Sequence, residues 1–337
     1  FIHTNPIKEE RVMNALTLIV AVSCILVIAY RLYGGFIATK VLVLDGSRAT
    51  PAHELNNGSD YVPMNKWVAF GHHFAAIAAA GPLVGPILAA QFGFLPGTIW
   101  LLVGAVIGGA VHDMVILFAS VRHKGQSLSE IAKAEIGPVA GIAVGLAILF
   151  TITITMAGLS LVVVHALKHN PWGTFTVGMT IPIAMIVGLI IKARPDKLTH
   201  ATILGMGLIL LAVAFGPYIK GTAIGNLFDL SETGVKLALP IYAFFAAALP
   251  VWFLLAPRDY LSSYMKIGTI GALALGIIFV NPVLHMPALT DFIYGGGPII
   301  KGPVWPFVSI TIACGAISGF HALIGSGTTP KMIDNEK

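Results

Sequence analysis

The 337-residue chain is 56% hydrophobic and only 10% charged, with a mean hydropathy of +0.87. A soluble domain carries about 25% charged residues, so this composition excludes a soluble protein and describes an integral membrane protein. The net charge of +5 does not point to nucleic acid, because the lysines and arginines sit at the ends of apolar runs and form no basic patch with interleaved aromatics.

Crossing a bilayer takes about 20 apolar residues at ~1.5 Å rise each. Nine runs meet that demand: 13–30 (with an interfacial extension to 44), 66–91, 97–121, 138–167, 174–191, 199–219, 236–256, 264–281 and 304–325. Their lengths predict helices, since barrel strands are about ten residues long and alternate in polarity. The polar connectors at 45–65, 122–137, 192–198, 220–235, 257–263 and 282–303 are too short for a second domain. Residues 1–337 therefore read as a single transmembrane domain. Because the chain starts at Phe1 and stops just after an apolar run, it also reads as a piece of a longer protein. Ser127 with Glu130 three residues on predicts a capping box on a short surface helix. Cys24 and Cys314 are expected to be free, buried thiols.

Loop charge sets orientation. Twelve lysines and arginines fall on one side, among them Arg48, Arg122, Arg194, Arg258, Lys266 and Lys331, against six on the other, including Lys8 and Arg11. The richer side is expected to be cytoplasmic.

The run KWVAFGHHFAAIAAAGPLVGPILAAQ (66–91) carries two Gly-Pro pairs, Gly81-Pro82 and Gly85-Pro86. Proline removes a backbone donor and disfavours helix at the residue before it. A break at bilayer depth is tolerated only where protein or a water-filled cavity satisfies the freed groups, so this run should break beside a site. Five spans later, 236–256 carries Pro240, Pro250 and Pro257 and should break as well. Interrupted helices at matching places point to a secondary transporter with inverted repeats. The first repeat would cover about 66–219 and the second would start near 236.

Three stretches carry a family resemblance: Phe70-Gly71-His72-His73-Phe74-Ala75-Ala76-Ile77 with Ala80-Gly81-Pro82-Leu83-Val84-Gly85-Pro86, Leu255-Ala256-Pro257-Arg258-Asp259-Tyr260-Leu261-Ser262, and Ile312 to Ile324 running into Gly327-Thr328-Thr329-Pro330-Lys331. Together they resemble the carbon starvation protein A family of bacterial inner-membrane transporters. That resemblance implies uptake of peptides, or of pyruvate and related small acids, driven by a proton or sodium gradient. It also implies a LeuT-like arrangement with two discontinuous helices, no cofactor beyond the coupling ion, and lipid and substrate as the only partners.

Histidine changes charge near neutral pH, so His72 and His73 suit a carboxylate or a proton. On a helix they point about 100° apart. The backbone at Gly81, Pro82 and Gly85 is the expected anchor for a substrate carboxylate, because half-helix N-termini attract anions. Asp113, beside His112, is the one carboxylate clearly inside a span and is the first candidate for coupling. His321 follows on the last span. By resemblance to the eighth element of LeuT-type proteins, Ser318, Ser326, Thr328 and Thr329 are candidate hydroxyl ligands to an ion, with Lys331 as an alternative cation. Arg258 and Asp259 read as a cytoplasmic gate or an end-of-helix ion pair. A different reading joins His72, His73, His112, Asp113 and His321 into a metal site, which would make a metal transporter or a metalloenzyme. No fixed-spacing metal motif supports it.

Overall fold

A computed structural model describes residues 13–337. Among these residues there are helices and loops, and the only β-type pairings are two isolated bridges. Seven helices are long and apolar enough to cross a membrane: α1 (Ala15–Val41), α4 (Phe94–Arg122), α6 (Pro138–Leu167), α7 (Pro171–Ala193), α8 (Pro195–Ile219), α10 (Leu255–Val280), and Val304–Lys331, which is itself interrupted. An eighth crossing is a pair, α2 (Lys66–Ile77) and α3 (Ala80–Ala89), bent by 43°. The chain is an all-α, multi-pass membrane protein. Lys8 and Arg11 lie outside the described residues.

The bend falls at Ala78 and Ala79, whose backbones leave the helical region. Pro82 explains the position. It has no N–H for the carbonyl of Ala78 four residues back, and its ring would strike that carbonyl. Gly81-Pro82 therefore lies in the first turn of α3, where a missing N–H costs nothing. Pro86 stays inside α3, so only the first Gly-Pro pair breaks the run.

The expected span 236–256 differs from its prediction. Its helix, α9 (Glu232–Ala248), has 17 residues, or about 25 Å, short of a ~30 Å hydrocarbon core. It stops because Leu249, ahead of Pro250, is extended. Helix then resumes at Leu255. The expected connector 257–263 is thus the first two turns of α10, with Pro257 placed where the first turn tolerates it. Arg258, Asp259 and Lys266 belong to a helix rather than a loop.

A further break was not anticipated. The last run divides into α11 (Val304–Ala316) and α12 (Gly319–Gly327), with Ile317 and Ser318 extended between them. Ser318 caps α12 by accepting from Phe320 N at 3.3 Å. The two broken crossings lie together: α3 runs along α11, α2 touches α12, α12 packs on α4 and α2 packs on α10. Glycines allow the approach. A Cβ at Gly81 would strike Cys314 Sγ, one at Gly85 would lie 2.5 Å from the Thr311 carbonyl oxygen, and one at Gly104 would lie 2.8 Å from Ala316 Cβ.

Apolar side chains on α1 and α6, such as Val27, Leu146 and Phe150, face outward, as a lipid-facing surface requires. The helical core gathers Val68, Ile183, Val187, Ala201, Tyr260 and Leu261. Cys24 and Cys314 are free, but neither is buried: Cys24 is exposed on α1 and Cys314 half-buried. The capping box is present at the start of α5 (Leu128–Glu135), with Ser127 and Glu130 reciprocally bonded.

Candidate functional site

Asp259, Ser263 and Lys266 stand at i, i+4 and i+7 on α10, which places them on one face of that helix. This polar stripe meets α2. His72 Nδ1 lies 2.8 Å from Asp259 Oδ2, although the angle is not that of a hydrogen bond and both ring nitrogens are buried without one. The Ser263 hydroxyl donates to the Gly71 carbonyl, and Lys266 Nζ donates to the Ala75 carbonyl at 2.9 Å. The helices come this close because residue 71 is glycine: a Cβ there would sit 3.0 Å from the Tyr260 ring and 3.1 Å from its Cα.

One residue further along α2, His73 points to a different neighbour. Its Nδ1 is 2.9 Å from Thr329 Oγ1. Thr329 is held there because the chain after α12 pairs with the chain before α2: Val62 N donates to Lys331 O and Met64 N to Met332 O, each at 3.1 Å.

Asp113 is shared by two histidines. Its Oδ1 is 3.0 Å from His112 Nδ1 and its Oδ2 is 2.8 Å from His321 Nδ1. His321 lies in the first turn of α12, so the carboxylate sits near the positive end of that half-helix, where an anion is favoured. Just before Asp113, α4 widens into a π-turn over Gly104–Gly109, and a Cβ on Gly109 would strike the Ala316 carbonyl. The widened turn, with glycine at 104, 108 and 109, is what admits the α11–α12 break beside Asp113.

Several candidates take other positions. Arg258 and Asp259 do not pair. Arg258 Nη1 donates to Tyr242 OH at 2.6 Å and Nε to Thr180 Oγ1 at 3.2 Å, while Asp259 turns to His72. Ser326 Oγ bonds back to Ala322 O at 2.7 Å, Ser318 is spent as a cap, and Thr328 ends α12. Lys331 Nζ lies over the Tyr61 ring, 5.1 Å from its centroid. Gly81 and Gly85 face α11, and Pro82 opens α3.

The five proposed metal ligands separate, because His72 faces Asp259 and His73 faces Thr329, while His112 and His321 both direct Nδ1 at Asp113. Among the described residues no group of three His, Cys, Asp or Glu side chains can hold a metal ion.

Lys266 escaped the sequence reading because it was assigned to a loop end. The 259/263/266 stripe was the available signal once α10 is started at Leu255. A cavity of about 370 Å³, lined in part by Asn65, Val68, Trp252, Ala256 and Pro257, opens about one helical turn before His72 and Asp259.

Comparison with known proteins identifies the family. The carbon starvation protein CstA family profile matches residues 14–337. "Peptide transporter CstA" of Bacillus subtilis is 65% identical over 322 residues, covering 96% of this chain and 54% of the relative. The Escherichia coli "Peptide transporter CstA" is 52% identical over 326 residues, 96% of this chain and 46% of its own length. The Escherichia coli "Pyruvate/proton symporter BtsT" is 51% identical over 326 residues, again 96% and 46%. The chain thus spans about half the length of the curated relatives it matches. No solved structure matches it. With the profile covering nearly all of its length, this chain belongs to the carbon starvation protein CstA family.

Proposed function

We propose that the chain forms the core of a proton-coupled symporter that imports peptides or pyruvate-like small carboxylates across the bacterial inner membrane. The observation that carries this reading is Asp113 clasped by His112 and His321 beside a helix break. An ionisable group inside a span is expensive and faces the protein interior. Histidine is the side chain whose unperturbed charge change falls near neutral pH, which suits two of them on one carboxylate to a proton-coupled step. Because His321 is on the half-helix α12 and Asp113 on the continuous α4, a change of protonation alters the force between them.

The substrate carboxylate would meet the free backbone donors at the start of α3, close to His72 and His73. Gly81 and Gly85 contribute by letting α3 lie against α11, and Pro82 by fixing where its N-terminus begins. Arg258, held by Tyr242 and Thr180 at the α9–α10 break, and Asp259, facing His72, would form the gate between the cavity and that site. The two-repeat plan over a single transport domain belongs to the same proposal, supported by the break at 249–254, which falls within the crossing predicted to break. A proton as coupling ion is favoured by the printed name of the relative "Pyruvate/proton symporter BtsT".

The test is uptake into proteoliposomes of labelled peptides and of pyruvate under an imposed proton or sodium gradient. Uphill accumulation of one of them on a proton gradient is expected. Accumulation on a sodium gradient alone would overturn the coupling assignment.

A further inference from the structure

We propose that the Lys266 ammonium is a resident counter-ion at the carbonyl end of half-helix α2, filling a place that would otherwise bind a small monovalent cation. The last four carbonyls of a helix have no partner within it, and the aligned peptide dipoles give that end about half a negative charge. At a surface, water answers both needs. Beside a break in a membrane crossing, another part of the protein must do so.

Lys266 is the side chain that does. It is the twelfth of the 26 residues of α10, so its stem leaves the helix about three turns from its start. Its Nζ donates to Ala75 O at 2.9 Å, in the last turn of α2. Ala78 N satisfies Phe74 O at 2.8 Å, which leaves the carbonyls after Phe74 for the ammonium end. Asp259 lies two turns before it on the same helix, next to Arg258. From α2, His72 and His73 lie one turn before Ala75, with His72 already committed to Asp259.

The functional consequence is specific. A free cation bound at this end would enter and leave with each cycle and could carry a second gradient. An ammonium tethered to α10 cannot leave. It keeps α2 joined to α10 in every state while α3, beyond the break, is free of that tie. The carbonyl end is then permanently neutralised, and sodium has no vacant seat there. This inference deepens the proton-coupled reading and relies on it only for what it says about transport, so the decisive measurement is one of binding.

The experiment is thermal unfolding of the purified full-length protein in detergent, comparing sodium, methylammonium and choline chlorides at equal ionic strength. Lys266→Ala opens the carbonyl end and should lower the midpoint by several degrees. At least one of sodium and methylammonium should restore part of that loss, and choline, too large to fit, should not. The unaltered protein should have the same midpoint in all three salts. Lys266→Ser, too short to reach Ala75 O, serves if the alanine variant does not fold, and should show the same selective restoration. Indifference of the variant to all three cations, or a sodium-specific stabilisation of the unaltered protein, would overturn the proposal. Failure of proton-driven uptake in the unaltered protein would count against the transport reading and leave these outcomes standing.

Discussion

His321 Nδ1 lies 2.8 Å from Asp113 Oδ2, and through that contact a nine-residue half-helix is tied to the middle of a continuous crossing. His112 Nδ1 holds the other carboxylate oxygen at 3.0 Å. Both carboxylate oxygens are therefore engaged, one by each imidazole.

Replacing Asp113 by Asn keeps the shape but removes the charge and turns one acceptor oxygen into a donor. For one proton per cycle, a one-unit pH gradient supports about a tenfold accumulation, 1.36 kcal/mol. Asp113→Asn should fall to the equilibrium ratio while still exchanging substrate across the membrane. Accumulation at the original ratio would exclude Asp113 from coupling.

The His72–Asp259 contact joins α2 to α10 in a largely buried setting. His72→Ala and Asp259→Ala should therefore be non-additive, with a coupling of about 0.5–3 kcal/mol in a double-mutant cycle of unfolding in detergent. A sum of the single effects within about 0.5 kcal/mol would mean that the two side chains are merely neighbours.

Close packing at the α11–α12 break predicts a steric contrast between glycines. A methyl on Gly109 would strike the Ala316 carbonyl, whereas one on Gly207 meets nothing within 4 Å. Gly109→Ala should destabilise by about 1–3 kcal/mol, as overpacking does, and Gly207→Ala should stay within about 0.5 kcal/mol of the parent. Equal melting temperatures for the two variants would contradict the packing described.

His123, just past the end of α4 and outside the membrane, gives a pH signature. Its Nδ1 is 2.8 Å from the Ala119 carbonyl and its Nε2 is 2.9 Å from Glu135 Oε1. The Ala119 bond first and the Glu135 bond second hold its pKa above the usual 6.5. A raised histidine stabilises the folded state fully below the unfolded value, and that contribution is lost as pH rises through the folded one. His123→Gln should therefore lower the melting temperature at pH 5.5 and leave it unchanged at about pH 9. Glu232 has the opposite sign: Lys236 and Lys168 pull it down to about 2, so its contribution is present above the unfolded value of 4.5 and fades as the pH falls toward 2.

Much of the fold was legible from composition and local pattern. The span 138–167 is α6 to the residue, the capping box at Ser127 is in place, and the break ahead of Gly81-Pro82 follows from proline's missing donor. The α11–α12 break was harder to see because no proline marks it. Gly315, Ser318 and Gly319 are its trace, and they become decisive only when Gly104–Gly109 of α4 presses against Ala316. Pro257 misled in the other direction, since a proline reads alike at the end of a helix and in its first turn.

By itself the sequence determined that this is a membrane protein and where its crossings run, because burial in lipid acts on each apolar stretch independently. It also determined that His72 and His73 face different ways, since helical geometry is local. Which charges meet was decided only by the tertiary structure. Asp113 and His321 are 208 residues apart, and Lys266 and Ala75 are 191. No local pattern encodes those contacts. They exist because glycine-lined helices approach closely enough for a polar side chain on one to satisfy a polar group on another where water is absent.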